Sequence, residues 1–515
     1  MLSGTARSRA ALQLPSLAAT LRSLERIDSV DIVQCKNLLG TTWQAPAGPR
    51  ELDVLSPWTG QRIAKLGVSA EEDVERAVAA ARPALMEWSH TPIKERVRPL
   101  MRFRELLITH GNDIARIASR ESGKTVAEAF AGLQRGIEVV DFAASLPNLD
   151  RGGALEVSRG VTCEYRREPL GVVLGITPFN FPAMVPLWMF PIAVTLGNAF
   201  ILKPSEKVPL TAMRLAELML EAGYAPGVFS LVHGDRSTVE ALVEHPEVVA
   251  VGFVGSTPAA RAVHARATAL GKRALCLGGA KNQLIVAPDA DEALTVKAVV
   301  DSFTGCAGQR CMAASVLVMV GSASRLLDRI VEAARRVRVG DQMGALIDRA
   351  AHARLTEAIA TAGEQGARVV LDGRSAAPPS EFSGGNWLGP TIIDAAKPGM
   401  ECVERELFGP VLSVVHVETL DEALELERKS PFGNATSIFT RSGAVASYVA
   451  ERASSGMIGV NVGVPVPRDP FSFGGTKASK FGSGDITGPS GVELWSNLKK
   501  ITTKWAISKD QNWMS

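Results

Sequence analysis

The feature of this sequence that most constrains its fold is a regular alternation between two hydrophobic periods. Short apolar runs rich in β-branched or aromatic residues alternate with longer segments whose apolar residues recur at helical spacing. Strands and helices that alternate in this way form right-handed βαβ units, in which helices cover both faces of a parallel sheet. The alternation therefore predicts an α/β fold with doubly wound parallel sheets.

The alternation runs through the chain in two series, without an internal repeat or a low-complexity segment. The first series predicts strands at 171–176, 199–203, 229–233 and 248–255, with helices at about 184–196, 209–223, 236–244 and 258–270. The second series predicts strands between about 283 and 440, in "NQLIVA", "SVLVMV", "ARVVLD", "LSVVHV" and "ATSIFT". For 515 residues, two α/β domains are the minimum interpretation.

Residues 170–202 carry no charged side chain, which is a length sufficient to cross a bilayer as a helix. Prolines and asparagines interrupt the stretch at Pro178, Asn180, Pro182, Pro186, Pro191 and Asn198. Such interruptions predict a strand, a loop, a buried helix and a second strand inside a domain. We therefore predict no association with a membrane.

The charge balance excludes another class of partner. With 56 basic and 54 acidic residues, the chain has no excess of positive charge with which to bind nucleic acid. Its six cysteines are too scattered for a disulfide framework, so we expect reduced thiols. They are Cys35, Cys163, Cys276, Cys306, Cys311 and Cys402.

The segment "TGCAGQRCMAAS" (304–315) holds two of these cysteines close together. No CxxC pair or histidine lies near enough to complete a zinc site, so no metal is predicted. The preceding stretch, 291–303, has helical spacing that Gly305 can end. Cys311 would then lie on irregular backbone, where catalytic groups are often placed. A small buried core residue is the alternative.

Residues 1–24 contain no acidic residue, while arginines, serines and periodic leucines make the stretch basic and amphipathic. That composition resembles a mitochondrial transit peptide, so residues 1–29 are predicted to be an N-terminal extension that directs the chain to the mitochondrial matrix. The alternative is an ordinary extension or N-terminal helix on a cytoplasmic protein.

Nucleotide binding has to be argued without a GxGxxG motif, because none follows a predicted strand. In "FVGST" (253–257), Gly255 and Ser256 open a helix, whose first N–H groups suit a pyrophosphate. In "KPSE", Lys203 and Glu206 end another strand, where they could bind ribose hydroxyls. Each motif is also compatible with an ordinary turn or polar loop.

In combination these motifs are more specific. "TPFNFP" (177–182), "KPSEKVP" (203–209), "FVGST", "GQRCM" (308–312), "ELFGPVL" (406–412) and "FSFGGTKAS" (471–479) occur in this order. From about residue 30 to its end, the chain resembles the aldehyde dehydrogenase superfamily. "PFNFPAMVPLWMFP", "GAKN" and "GQRCMA" are most similar to its CoA-acylating branch, the methylmalonate-semialdehyde dehydrogenases.

The resemblance implies an organisation of the whole chain. An NAD-binding domain would span 30–275, a catalytic domain 276–470, and a return segment with an oligomerisation strand 471–515. Residues 151–169 would pair with that C-terminal strand in a small β flap. Sheet edges of different subunits would meet there, so a homodimer or homotetramer is expected.

The resemblance also implies the chemistry. Cys311 would attack the aldehyde, and hydride transfer to NAD would leave a thioester on its sulfur. The Asn180 side-chain amide and the Cys311 N–H would bind the developing oxyanion. The charge of Arg310 is expected to lower the pKa of the thiol, whereas Cys306 is expected only to pack.

The most informative departure lies in "LCLGGAKN" (275–282). In hydrolytic members of the superfamily, a glutamate four residues before this lysine activates water. Alignment on Lys281 places Leu277 at that position. Without a general base, whose contribution is typically ~10²–10⁴-fold, the thiol of CoA should accept the acyl group instead of water.

Two arginines define the expected substrate. The resemblance implies that Arg135 and Arg310 bind a substrate carboxylate, which suits the guanidinium fork. From the sequence alone, Arg135 lies off the apolar stripe of its helix, which is typical of a solvated residue. That stripe is Val126, Phe130, Leu133, Ile137 and Val140. Since a carboxylate β to a thioester can leave as CO₂, methylmalonate semialdehyde would give propionyl-CoA and malonate semialdehyde acetyl-CoA.

The remaining expectations concern the cofactor and two further departures. By resemblance, Glu406 would contact the nicotinamide ribose, Phe408 the ring, and Lys207 the adenosine end, with Thr177 and Phe179 lining the cleft. Loop 340–348 is shorter than the resemblance predicts, and segment 464–473 carries Arg468 and Asp469 near the expected substrate entrance. Two other functions remain open: a hydrolytic aldehyde dehydrogenase that makes free acids, and a catalytically silent binding or structural protein.

Overall fold

In the computed structural model, which describes residues 32–149, 152–378 and 380–505, eight strands form the first of two large sheets. The predicted N-terminal extension lies outside these described residues. Five neighbouring strands at the centre of the described sheet are parallel, and the outer ones pair antiparallel. In spatial order the strands are Lys480–Phe481, Arg273–Leu277, Val248–Val254, Val172–Ile176, Ala199–Lys203, Phe229–Leu231, Asn37–Leu39 and Thr42–Gln44.

The four strands predicted for the first series are confirmed within this parallel core. Side chains alternate along each strand, so Val172 and Leu174 enter one apolar cluster while Val173 enters a second cluster. Helices cover the sheet at Glu71–Trp88, Ile93–Thr109, Gly111–Ser122, Val126–Leu149, Met184–Thr195, Pro209–Glu221, Arg236–Glu244 and Thr257–Ala269. The sheet is therefore doubly wound, as predicted.

The uncharged stretch is accounted for by burial. All twelve residues of the helix Met184–Thr195 are buried between the sheet and neighbouring helices. It connects the strand Val172–Ile176 to the strand Ala199–Lys203, which is the predicted strand, loop, helix and strand. Among the residues that the structure describes, no helix is long and apolar enough to cross a membrane.

The second large sheet, counted over the same described residues, has seven strands. All neighbours are parallel except the first pair. In spatial order they are Arg368–Leu371, Thr391–Asp394, Val411–Val417, Val316–Val320, Gln283–Val286, Ala435–Phe439 and Met457–Val460. Its helices are Glu292–Thr304, Leu327–Arg335, Arg349–Glu364, Glu401–Glu404, Leu420–Lys429 and Gly443–Arg452. The five strands predicted for the second series are confirmed, and two short ones had not been identified.

A small antiparallel sheet stands apart from the two large ones. Within the described residues it consists of Gly153–Ser158, Val161–Pro169 and Ser496–Lys504. The last two strands pair along their whole length, from Ser496 opposite Pro169 to Lys504 opposite Val161. The segments expected to form the flap therefore do pair. The remaining strands of the described residues are Val33–Cys35, Glu51–Leu55, Arg62–Gly67, Phe432–Gly433 and Thr476–Lys477, and the remaining α-helix is Gly488–Leu494.

Candidate active site

The cysteine loop begins where a well-defined helix stops. Asp291 caps the helix Glu292–Thr304 by accepting a hydrogen bond from the N–H of Leu294 at 2.9 Å, and Gly305 ends it. A short turn follows, in which Cys306 and Ala307 both adopt a φ of 51°. Few side chains tolerate that region of backbone conformation, so the turn depends on its surroundings to hold it. Cys311 follows on irregular backbone, as predicted.

Two asparagines fix the main chain of Cys311. The side-chain amides of Asn282 and Asn434 each donate a hydrogen bond to the Cys311 carbonyl oxygen at 2.8 Å. They immediately precede the neighbouring parallel strands Gln283–Val286 and Ala435–Phe439. The carbonyl group is thereby held by two elements of the second sheet. Sequence analysis missed both roles, although an asparagine before each of two strands was a visible signal.

Asn180 lies in the loop after the strand Val172–Ile176 of the first sheet and contacts the cysteine loop. Its buried side-chain amide donates a hydrogen bond to the carbonyl oxygen of Gln309 at 3.0 Å. An amide nitrogen has two hydrogens, so this contact leaves one for another acceptor. The two groups expected to bind an oxyanion, at Asn180 and Cys311, thus belong to loops that are in direct contact.

The environment of the Cys311 thiol does not favour its ionised form. Burial and the nearby negative charge of Glu406 raise the pKa of Cys311 to about 12, whereas Arg310 and Lys124 lower it. Arg310 therefore acts in the predicted direction, but burial outweighs it. At neutral pH the resting group is a thiol, and catalysis has to remove its proton.

The guanidinium of Arg310 lies in a polar cluster with Cys306 and Glu128. Its Nε donates a hydrogen bond to Cys306 Sγ at 3.3 Å, and Nη2 lies 3.5 Å from the Glu128 carboxylate. Glu128 also accepts the Cys306 N–H at 2.5 Å. A Cβ on Gly305 would lie 2.3 Å from the guanidinium carbon, so a larger residue there would displace the Arg310 side chain. Cys306 is buried, as expected of a packing residue, and its sulfur also accepts a hydrogen bond from Arg310. The contacts of Glu128 with this cluster were not predicted from the sequence.

Arg135 lies on the helix Val126–Leu149, whose buried residues include only Leu133 and Val140 of the predicted stripe. The buried stripe consists of Ala129, Gly132, Leu133, Gly136, Val139, Val140, Phe142, Ala143 and Leu146. Arg135 lies off this stripe with 41% of its side chain exposed, and Nη1 is 3.3 Å from both oxygens of Glu138. The sequence pattern alone was therefore right that Arg135 is partly solvated.

Leu277 is the last residue of the strand Arg273–Leu277 and is 3% exposed. Its carbonyl oxygen accepts the Gly255 N–H at 3.1 Å. The side chain belongs to an apolar cluster that includes Met312 and against which Cys311 also packs. The position at which we expect the glutamate of hydrolytic members is thus occupied by a buried hydrocarbon side chain.

Glu406 is folded onto the loop that follows this strand. Its carboxylate accepts the Ala280 N–H at 2.9 Å, and a Cβ on Gly279 would lie 2.2 Å from the other oxygen. Burial raises the pKa of Glu406 to about 7, although the Ala280 hydrogen bond and Lys281 lower it. Lys281 has a buried Nζ without a hydrogen-bond partner among the described residues. Burial lowers the pKa of Lys281 to about 8.

The residues expected to bind a nucleotide gather at the carboxyl edge of the first parallel sheet. Ser256 precedes the helix Thr257–Ala269 as its N-cap. Lys203 and Glu206 form an ion pair of 3.4 Å, and the Thr177 N–H donates to the Lys203 carbonyl oxygen at 3.1 Å. The start of a helix beside a cation and a carboxylate is a donor and acceptor set that fits a dinucleotide.

Residues from both large sheets meet at one side of this edge. The rings of Phe179 and Phe408 pack edge to face with centroids 5.8 Å apart. Lys207 Nζ lies 5.5 Å from the Phe179 ring and 2.5 Å from the carboxylate of Asp348. Asp348 ends the short loop 340–348, so the shortened loop contacts the expected adenosine side of the cleft.

Gln309 attaches the same loop to the cysteine segment. Its Oε1 accepts the Ile347 N–H at 3.0 Å, and its Nε2 donates to the Ala345 carbonyl oxygen at 3.2 Å. The sequence did not predict this role of Gln309, because both partners lie in the loop 340–348 and no pattern in the sequence places that loop beside the cysteine segment. Over the described residues, no group of three or more histidine, cysteine or acidic side chains is arranged to hold a metal.

Comparison with known proteins adds to this geometry. The profile of the aldehyde dehydrogenase family matches residues 43–501. A malonate-semialdehyde dehydrogenase of Geobacillus thermodenitrificans (strain NG80-2) is 44% identical over 478 residues, covering 91% of this chain and 98% of that protein. A Dictyostelium discoideum protein described as a mitochondrial, acylating methylmalonate-semialdehyde/malonate-semialdehyde dehydrogenase is 41% identical over 461 residues, or 88% and 87% of the two chains.

A solved structure is also similar over nearly the whole fold. It comes from Sinorhizobium meliloti 1021, is complexed with NAD, and is described as a methylmalonate-semialdehyde dehydrogenase. The TM-score is 0.92 at 39% sequence identity, and the match covers 94% of this chain and all of that one, 100%. The similarity therefore extends over the fold that carries both the cysteine loop and the carboxyl edge of the first sheet.

Proposed function

Because the chain belongs to the aldehyde dehydrogenase family, we propose that it oxidises malonate or methylmalonate semialdehyde with NAD and transfers the acyl group to CoA. The products would be acetyl-CoA or propionyl-CoA, with loss of CO₂. The observation that carries the proposal is Leu277, a buried apolar residue at the position where hydrolytic members place their base. The names of the similar proteins support the same substrate class.

Acylation begins at Cys311. The thiol first gives its proton to solvent water; the sulfur then bonds to the aldehyde carbon as the second C–O bond opens and its electron pair moves to the oxygen, which becomes negatively charged. The Asn180 amide and the Cys311 N–H donate to that oxygen, which stabilises charge that develops only as the bond forms. Asn282 and Asn434 hold the Cys311 carbonyl group, and the Arg310 carbonyl oxygen accepts the Ala313 N–H at 3.1 Å, so the main chain on both sides of the nucleophile is restrained before the substrate arrives.

NAD supplies the hydride acceptor when it is bound. Gly255 and Ser256 would hold its pyrophosphate, Lys203 and Glu206 a ribose, and Glu406 the other ribose. Four further residues would border these groups along the cleft. They are Thr177, Phe179, Lys207 and Phe408. The NAD-complexed structure of similar fold supports this assignment.

Deacylation is assigned to CoA because of what surrounds the thioester. Leu277 has no proton acceptor, so water in this pocket lacks the base that would make it nucleophilic. In the transfer, the CoA sulfur bonds to the acyl carbon, the bond to Cys311 breaks, and the Cys311 sulfur regains a proton. A thiolate needs less assistance than water to attack a thioester.

The carboxylate of the substrate is assigned to the two arginines. Arg310 lies in the Cys311 loop, and Arg135 lies on the helix Val126–Leu149, whose Glu128 contacts that loop. Both arginines already contact a carboxylate in the protein. A guanidinium that binds Glu128 or Glu138 has the geometry to bind a substrate carboxylate as well. Once the thioester has formed, the β-carboxylate leaves as CO₂, and the resulting enolate takes up a proton.

We also propose that the small sheet associates with another copy of the chain, giving a homodimer or homotetramer. Apolar side chains stand exposed on it: Leu155 is 68% and Val157 52% exposed, and Trp505 beyond its last strand is 80% exposed. Surfaces of this kind mark interfaces, and an unpaired sheet edge can pair with a second chain. Sedimentation of the purified protein tests this assembly.

The test of the proposed reaction is the identity of its product. Purified protein is incubated with NAD, CoA and each member of a panel of aldehydes, including malonate semialdehyde, methylmalonate semialdehyde and propanal. Mass spectrometry should find acetyl-CoA from the first, propionyl-CoA from the second, and CO₂ with both. Formation of free acids at the same rate with and without CoA would overturn the proposal in favour of a hydrolytic enzyme.

A further inference from the structure

One carboxylate, that of Glu138, is shared by two arginines from distant segments. Arg135 Nη1 lies 3.3 Å from each of its oxygens. Arg468 Nε donates to Oε2 at 3.1 Å, while its Nη2 donates to Oε1. Arg468 therefore binds through two separate N–H groups, one to each oxygen, whereas Arg135 uses a single nitrogen. The fork of Arg468 is the stronger of the two arrangements.

The segment that carries Arg468 is attached to the catalytic loop. Val464 and Val466 pack against the apolar cluster that Cys311 also contacts. The Ser302 hydroxyl donates to the Gly463 carbonyl oxygen at 2.6 Å and accepts the Ala314 N–H at 2.9 Å. Arg468 thus lies on a segment whose position is tied to that of the nucleophile, although its own side chain is 63% exposed.

Glu138 would interfere with substrate binding if Arg135 alone neutralised it. Although burial raises the pKa of Glu138, Arg468 and Arg135 hold it below the ordinary value, so the carboxylate is ionised at neutral pH. A second acid, Asp469, lies close by. Burial and the charge of Glu138 raise the pKa of Asp469 to about 6. A free carboxylate here would compete with a substrate carboxylate for Arg135 and repel it.

We propose that Arg468 is a positioning residue for substrate specificity, which binds Glu138 and leaves the remaining N–H groups of Arg135 free for the carboxylate of the aldehyde. A guanidinium has five N–H donors, so Arg135 can bind a second carboxylate when the first is satisfied elsewhere. The inference rests on the proposed function because it requires a carboxylated substrate. It gives a role to one of the two charged residues by which the segment 464–473 departs from the resemblance.

The experiment is a double-mutant cycle with two substrates. KM and kcat are measured with NAD and CoA for the wild type, Arg468→Ala, Glu138→Gln and the double variant, using malonate semialdehyde and propanal. Arg468→Ala should raise KM for malonate semialdehyde about fivefold, with kcat and all propanal constants nearly unchanged. Glu138→Gln in the same chain should restore KM, because the competing charge is gone.

The pair Arg236 and Glu240 provides a matched control. It is an exposed ion pair of 2.7 Å on another helix, so Arg236→Ala and Glu240→Gln should change no constant for either substrate. The inference is overturned if Arg468→Ala affects malonate semialdehyde and propanal equally, or if the double variant is not restored. A wild type that shows no preference for malonate semialdehyde over propanal would instead refute the proposed function.

Discussion

The side-chain amide of Asn434 donates a hydrogen bond to the Cys311 carbonyl oxygen at 2.8 Å, across 123 residues of sequence. Asn282 donates to the same oxygen at the same distance. Because the two asparagines precede paired strands, the second sheet itself fixes the main chain of the nucleophile. The N–H expected to stabilise the oxyanion lies in the preceding peptide group, whose Arg310 carbonyl oxygen accepts the Ala313 N–H at 3.1 Å. The asparagines therefore act on it by holding the residue in place.

Asn434→Ala should lower kcat about tenfold, because a small displacement of the nucleophile has a large effect on rate. The free energy of unfolding should fall by only about 1–2 kcal/mol, the usual cost of a lost buried hydrogen bond. Asn461→Ala is the matched control, since its amide donates to the Thr440 carbonyl oxygen at 3.0 Å in the same domain. An equal loss of kcat in both variants would show that the effect is one of stability.

Leu277→Glu should create water-dependent turnover. A carboxylate at the end of this strand supplies the missing general base, and we expect CoA-independent NADH formation to rise at least about tenfold. Leu277→Gln introduces a side chain of similar size without the base, and it should show no continuous turnover in the absence of CoA. Burial among apolar residues should raise the pKa of the new carboxyl, so the gain should increase with pH. Equal rates for the two variants would exclude a base effect.

Arg135→Ala should raise KM for malonate semialdehyde by about tenfold or more, which is the loss expected when one partner of a charged hydrogen bond is removed. The constants for propanal, which has no carboxylate, should change by less than about twofold. Steady-state kinetics with the two aldehydes in parallel makes the comparison. Equal effects on both would indicate that Arg135 does not bind the carboxylate.

Glu406→Gln should make Cys311 more reactive in the cofactor-free protein. The Glu406 carboxylate raises the pKa of the thiol, so its removal should speed alkylation by iodoacetamide a few-fold. Because the pKa of Glu406 is about 7, the carboxyl is protonated at lower pH and its influence disappears. The two proteins should therefore react alike below pH 6 and diverge above pH 7.

Peptide mass mapping must locate the label on Cys311 for this result to count. Alkylation at Cys306 serves as the internal comparison, since its neighbours are Arg310 and Glu128. If wild type and Glu406→Gln react at the same rate at pH 8, the carboxylate does not act on the nucleophile.

Features determined by local pattern could be predicted from the sequence. The strands Val172–Ile176 and Ala199–Lys203 follow from their apolar runs, and the end of the helix before Cys311 follows from Gly305. Contacts between distant residues could not be predicted. Glu128 accepts the N–H of Cys306 from 178 residues away, and no spacing in the sequence relates them.

The protonation state of the nucleophile also depends on tertiary structure. Sequence places a cation beside Cys311, which alone would lower the pKa of the thiol. Folding adds burial and the carboxylate of Glu406, and their combined influence is larger and opposite. The buried Leu277 could be identified from alignment within the family, but only the structure shows that it packs in the same apolar cluster as Met312.

The most direct test of the central claim is a comparison of NADH formation with and without CoA at a known concentration of enzyme. Without CoA, malonate semialdehyde should give a burst of about one NADH per active site, and mass spectrometry should find the acyl group on Cys311. Addition of CoA should then start continuous turnover. Continuous turnover without CoA, with a free acid as product, would contradict the claim that this pocket cannot activate water.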